Sequence, residues 1–186
     1  MANKKISEFT DGGIALTTDS IAAVRGGVNT KIVLPPGQII QRVSTVTGAV
    51  ATGTTVIPYD DSIPQKTEGD SYMTQAITAK ATGNILVVDV YAIVSPSLVD
   101  TVILALFQDS ANSAVAATCV DVSTATNGIV GISLRYIGAA GTVSATTFSV
   151  RIGKATAGTI TFNGIASGRK LGGKLASSIM IAEYAL

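Results

Sequence analysis

The 186-residue chain has no histidine and no tryptophan, and a single cysteine, Cys119. Without histidine, a Ser-His-Asp triad, a Cys-His dyad and an imidazole metal site are all excluded. One cysteine rules out an intrachain disulfide and any cysteine-rich zinc cluster. Cys119 sits in the apolar run AVAATCV, so a buried, inert thiol is expected. Without tryptophan the chain lacks the commonest platform for stacking bases or sugars, although five tyrosines remain. Long hydrophobic runs are missing too. The most apolar stretch, ILVVDVYAIV at 85–94, is half the length of a bilayer span and carries Asp89. MANKKISEFTDGG has two lysines but no apolar stretch after it, so no secretory signal is expected.

Charge is scarce, at 13 % of residues, while the broad apolar share is 47 % and mean hydropathy is +0.47. The apolar share is built from 25 Ala, 20 Ile and 19 Val against 10 Leu, and 23 Thr add to the β-branched total. Such side chains are stiff at χ1 and favour pleated, half-buried surfaces. With 19 Gly available for turns, the composition reads as all-β. A chain this apolar and this poor in charge is expected to hide part of its outer surface against copies of itself.

The net charge of +1 conceals a segregation. Residues 60–121 hold eight acids (Asp60, Asp61, Glu68, Asp70, Asp89, Asp100, Asp109, Asp121) against Lys66 and Lys80. Residues 122–182 hold no acid and six bases (Arg135, Arg151, Lys154, Arg169, Lys170, Lys174). A basic anion-binding face is one reading; complementary charge between two halves or neighbouring subunits is the other. No aromatics interleave with the bases as single-strand binding requires, so the second is preferred and no nucleic-acid partner is expected.

In residues 1–50, IAAVR (21–25) and TKIVL (30–34) flank GGVN, a turn suited to a β-hairpin. Pro35 and Pro36 stop the strand, QIIQRVSTV at 38–46 is extended, and TGAVATGTT at 47–55 is the best linker candidate. Beyond it lie nine strand-like runs: TVIPY (55–59), YMTQAITA (72–79), ILVVDVYAIV (85–94), TVILALF (101–107), AVAATCV (114–120), VGISLRYI (130–137), TTFSVRI (146–152), TITF (159–162) and SSIMIAEY (177–184). Phe148, Val150 and Ile152 alternate with Thr147, Ser149 and Arg151, the period of a strand with one wet face. ILVV and VILALF are continuous and suggest that both faces are covered. Many short, evenly spaced strands point to an antiparallel sandwich or jelly roll over 51–186, with a small extended, β-hairpin segment over 1–50.

Chemistry-bearing clusters are few. Asp60, Asp61, Glu68 and Asp70 could share a calcium ion through carboxylate oxygens, or two of them could stand as a glycosidase pair about 5–10 Å apart. The spacing does not match an EF-hand, and neighbouring acids on an extended chain point to opposite faces, so a solvated loop with turn-initiating Asp is preferred. GRKLGGK (168–174) lacks the Ser or Thr that follows a phosphate-loop lysine. RGG at 25–27 reads as a hairpin turn. No catalytic residue, metal ligand or cofactor is assigned.

Residues 6–34, ISEFTDGGIALTTDSIAAVRGGVNTKIVL, resemble a module at the N-termini of bacteriophage tail-fibre and other virion proteins. The matching positions are Ile6, Ser7 and Phe9, where Leu is commoner, then Thr17 to Ile21 with Asp19, then Val24, Arg25, Gly26 and Gly27, and a basic-aliphatic strand from Lys31. The remainder is similar to the jelly-roll heads of phage fibre and head-decoration proteins, which look like tumour necrosis factor-type trimers. The resemblance implies a homotrimer bound to other virion proteins and placed in a virion assembled in the bacterial cytoplasm. The head would face a host-surface glycan or protein receptor, or cap the shell, with no enzymatic activity and no membrane insertion. Virion attachment would fall to Ile6, Ser7, Phe9, Asp19, Ile21, Val24, Arg25, Gly26 and Gly27. Polarity and expected exposure mark Gln108, Asp109, Asn112, Asn127, Arg169 and Lys170 as candidate receptor-binding loop residues.

Overall fold

The computed structural model describes residues 21–25, 28–32, 36–123 and 125–186. Strands β1 (Ile21–Arg25) and β2 (Val28–Ile32) pair antiparallel with Arg25 opposite Val28. This is the hairpin expected from the sequence, with its second strand starting earlier than TKIVL.

Twelve further strands follow: β3 (Ile39–Thr47), β4 (Ala51–Gly53), β5 (Asp70–Thr78), β6 (Ile85–Pro96), β7 (Asp100–Gln108), β8 (Ala116–Val122), β9 (Val130–Ala139), β10 (Ala145–Lys154), β11 (Ile160–Phe162), β12 (Gly164–Ile165), β13 (Gly168–Arg169) and β14 (Ser177–Tyr184). One sheet has the order β5-β10-β7-β8. In the other, β3-β14-β6 continues to β9 on one side of β6, while β11 and β4 extend it on the other. Val94 pairs with both Val130 of β9 and Phe162 of β11, so these two must lie on opposite edges of β6. All pairings are antiparallel, and the chain crosses repeatedly between the sheets, which is the jelly-roll arrangement. The fold class is therefore all-β, as composition and periodicity indicated.

The core lies between the sheets and obeys the period of two. Leu86, Val88, Val90, Ala92 and Val94 of β6 alternate inward and meet Val102, Leu104 and Leu106 of β7. Phe148, Val150 and Ile152 of β10 are buried as the alternation predicted. Strand β7 is buried on both faces, the structural counterpart of the continuous run VILALF. Its second face, Ile103, Ala105 and Phe107, packs against Ile57.

Ile57 belongs to an irregular strap, residues 54–69, laid over the outside of that sheet. TVIPY was expected as a strand and is not one. Pro58 lacks the N–H that a ladder needs, and the Ile57 N–H donates instead to Lys154 O at 3.0 Å. The segment 47–55, read as a linker, contributes β4, which pairs with β11. Strand β3, before that segment, pairs along its length with β14.

One lateral edge of the sandwich is closed by side chains. Thr45 Oγ1 donates to Gln75 Oε1 at 2.8 Å and Gln41 Nε2 donates to Thr78 O at 2.7 Å, tying β3 to β5. At the opposite edge β8 lies against β9.

Candidate interaction surfaces

The proposed receptor-loop residues do not form one surface. Strand β7 runs from Asp100, opposite Val122 of β8, to its far end at Gln108, so the 108–113 and 123–128 loops occupy opposite ends of the sandwich. Gln108 is half-buried at the end of β7. Asp109 is exposed but engaged: its Oδ1 accepts from the Thr147 N–H at 2.7 Å, and its carbonyl accepts from Lys66 Nζ. The Asn112 carbonyl accepts from the Lys66 N–H at 2.7 Å, and the Asn127 N–H donates to Pro96 O at 3.1 Å. Arg169 and Lys170 are exposed, beside the end of β3. Of the attachment residues, Ile21, Val24 and Arg25 lie on β1; Ile6, Ser7, Phe9, Asp19, Gly26 and Gly27 lie outside the described residues.

The four acids of the strap and β5 are engaged separately. Asp60 Oδ1 accepts from both the hydroxyl and the N–H of Ser62, an Asx turn whose donors hold this carboxyl below the usual carboxylate range. Glu68 accepts from the Gln65 N–H at 2.8 Å. Asp70 accepts from the N–H and hydroxyl of Thr55 at 2.8 and 3.0 Å. Asp61 is exposed. Among the described residues no group of three or more His, Cys, Asp or Glu is arranged to hold a metal ion. Nor is any helix among them long and apolar enough to cross a membrane.

Two surfaces stand out that sequence reasoning did not single out. The first is the outer face of β3-β14-β6-β9. Cross-strand register places Arg42, Ala182, Val87 and Ile137 in one row, Ser44, Met180, Asp89 and Arg135 in the next, and Val46, Ser178, Tyr91 and Ser133 in a third. Val46 is 68 % exposed, Ile137 62 % and Tyr91 46 %, uncovered apolar side chains set among Arg42, Ser44, Ser133 and Ser178 on one sheet face. At its centre Arg135 grips Asp89 at 2.6 and 3.0 Å through two nitrogens, which raises the guanidinium pKa further. A hollow of about 460 Å³ opens around that pair, lined also by Tyr91, Ser133, Ser178 and Met180.

The second surface is a groove of about 200 Å³ between the strap and β8, formed by Pro58, Tyr59, Pro64, Ile103, Ala117 and Cys119. Here the expectation for the cysteine is corrected: Cys119 is exposed. It lies opposite Ile103 on the sheet's outer face, but on an edge strand, and the strap stops short of covering it.

Two buried polar clusters brace these surfaces. Asn163, fully buried, donates through Nδ2 to Thr47 O and Ala49 O at 2.8 and 3.1 Å and accepts from Ser177 Oγ at 2.6 Å. Lys154 Nζ, also buried, is 3.4 Å from Asp100 Oδ2. Burial of Asp100 works against its ionisation, but donors from Thr156, Thr101 and Lys154 outweigh it and keep the carboxyl below its ordinary range. The Tyr72 hydroxyl is buried without a partner; desolvation, and then the charge of Asp70, push its pKa upward.

No protein-family model matches the chain, and no curated protein does. Solved structures do. A CBM4 structure aligns over 84 % of this chain and 79 % of its own at 15 % identity, TM-score 0.37. The Eiger TNF of S. frugiperda aligns over 77 % of this chain and 93 % of its own at 12 % identity, TM-score 0.44. An infectious bursal disease virus particle protein aligns over 90 % of this chain and 40 % of its own at 11 % identity, TM-score 0.37.

Proposed function

We propose that the chain is a structural protein of a bacteriophage virion: a homotrimeric jelly-roll head held to other virion proteins by its N-terminal segment and presented to the host surface. The observation that carries this reading is the set of exposed apolar side chains, Val46, Tyr91 and Ile137, on one outer sheet face. A sheet face of this kind is the usual mark of an interface, and association hides it without a larger core. The N-terminal motif from Ile6 to Gly27 supports the virion placement, and the scarcity of charge supports dense packing among copies. The reading includes no catalytic step, no cofactor, no nucleic acid and no membrane insertion.

A second role, capsid decoration or an adaptor within the particle, is favoured by one observation. The polar loops expected to meet a receptor lie at opposite ends of the sandwich instead of on one tip.

Absolute mass by light scattering tests the core of the proposal. The expected mass is three chains, falling to one on Ile137→Lys, which sets a charge in the apolar face; a single-chain mass for the unaltered protein refutes the trimer. Blocking of phage adsorption by purified protein then supports the host-binding role. Rebinding only to particles stripped of this protein supports the decoration role.

A further inference from the structure

The charge segregation along the sequence becomes spatial in the fold. At the β3 edge, the segment from Gly168 to Lys174 carries Arg169, Lys170 and Lys174, all exposed, around Leu171. Leu171 is 74 % exposed, the most exposed of the large apolar side chains in the described body. Its backbone lies in the left-handed region at φ 50°, followed by Gly172 at 61° and Gly173 at 84°. A leucine there is uncommon, and three such residues in succession turn the chain outward. The base of this knob is fixed: a Cβ on Gly48 would fall 2.0 Å from Gly173 O, so the loop sits directly on the end of β3. The Lys174 N–H closes it on Leu171 O at 3.0 Å.

The groove at β8 lies at the opposite lateral edge and has the complementary character. Its floor, Ile103 and Ala117, is apolar, and its volume of about 200 Å³ exceeds the roughly 150 Å³ cavity that admits a benzene-sized guest. Asp60 stands on its rim, with Asp61 next in sequence and Asp121, exposed, two residues along β8 from Cys119. Among the described residues, none of these three acids and none of Arg169, Lys170 and Lys174 is in an ion pair within its own chain.

We propose that Leu171 of one copy seats in the β8 groove of the next, with Arg169, Lys170 and Lys174 facing Asp60, Asp61 and Asp121. Knob and groove are different surfaces, so the contact is head-to-tail and closes into a ring when the rotation per copy divides a full turn. The knob alone falls short of the ~800 Å² per partner typical of a stable interface. Neighbouring side chains at the β3 edge, the exposed Val46 among them, add to the contact. This inference rests on the self-association proposed above and specifies which surfaces meet.

The position of Cys119 in the groove allows a direct test. In Leu171→Cys, oxidation with diamide should join the introduced thiol of one chain to Cys119 of the next, giving dithiothreitol-reversible oligomers on a non-reducing gel. The double variant Leu171→Cys, Cys119→Ser should give none. Cross-links that persist in the double variant would show that like surfaces meet, and overturn the proposal. So would the absence of cross-links in a protein whose scattering mass is a multiple of the chain. A single-chain mass would instead bring down the self-association reading itself. Independently, Leu171→Asp sets an anion against the acidic rim at a position where Asp tolerates the left-handed backbone. Self-association on dilution should weaken at least tenfold, and an unchanged dilution profile overturns the contact.

Discussion

Replacing Ile57 with Ala tests whether the strap is an anchored part of the fold or a loosely attached loop. Ile57 is fully buried and covers Ile103, Ala105 and Phe107 on the outside of β7. It is closely surrounded: a Cβ on Gly153 would lie 2.8 Å from Ile57 Cγ1. The substitution removes three carbons, worth about 0.8 kcal/mol each in transfer, or about 2.4 kcal/mol before any cavity is counted. The strap cannot easily settle into the space, because Ile57 N–H is held on Lys154 O and Gly69 N–H on Val56 O at 3.0 and 3.1 Å. A total loss of about 3–4 kcal/mol is therefore expected, inside the usual range for Ile-to-Ala in a core. Urea unfolding at fixed protein concentration measures it, since association with other copies would otherwise shift the apparent stability. The slope should stay constant if the denatured state is unchanged. Ile63→Ala, also on the strap but outside the groove and 60 % exposed, is the control and should cost no more than about 0.5 kcal/mol. If Ile57→Ala costs under about 1 kcal/mol, or no more than the control, the strap is not held by its apolar contact and the groove it helps to wall is not preformed.

Two further outcomes follow from the buried polar groups. Asp100 has a folded pKa below its unfolded value of about 3.9, so its stabilising contribution is full above that value and is lost as pH falls through the lower, folded one. Asp100→Asn should therefore flatten the acid limb of a stability–pH curve below about pH 4. At neutral pH it should cost on the order of 3 kcal/mol by stranding Lys154; Lys154→Met should cost less, because Asp100 keeps its Thr156 and Thr101 donors. The reverse order in a denaturation series would refute this. Asn163→Ala removes the Nδ2 donor from Thr47 O and Ala49 O and the acceptor of the Ser177 hydroxyl, whose Oγ still accepts from the Ile93 N–H. At about 1–3 kcal/mol for each stranded group, thermal unfolding should register a loss above about 3 kcal/mol, and a loss below 1 would mean that water replaces the amide.

Most strands were legible because side chains on a pleated sheet repeat every two residues. SSIMIAEY became β14 over its full length, and TTFSVRI sits inside β10. The continuous run in β7 disclosed that both of its faces are covered, but not by what: Ile57 lies far away in sequence, within a segment whose local pattern imitates a strand. The same limit hid β4, whose small residues ATG look like a linker until β11 supplies the partner. Cys119 departs from its expected burial for a related reason. Its neighbours are apolar, yet it lies on an edge strand, and edge position is a property of the sheet.

The candidate surfaces were less legible than the fold. Asp89 and Arg135 are 46 residues apart and meet only through the β6–β9 register. Val46, Tyr91 and Ile137 come from three strands, and each taken singly is an ordinary strand residue. Composition and alternation, being local, determined by themselves that this chain forms β-strands, which faces of most strands are apolar, and which histidine- and disulfide-based chemistries are closed to it. The order of strands in the two sheets decided the rest. It fixed which apolar face was left uncovered, that the acidic groove and the basic knob lie on opposite edges, and that the polar loops point in different directions, because adjacency across a sheet depends on chain crossings that no local pattern records.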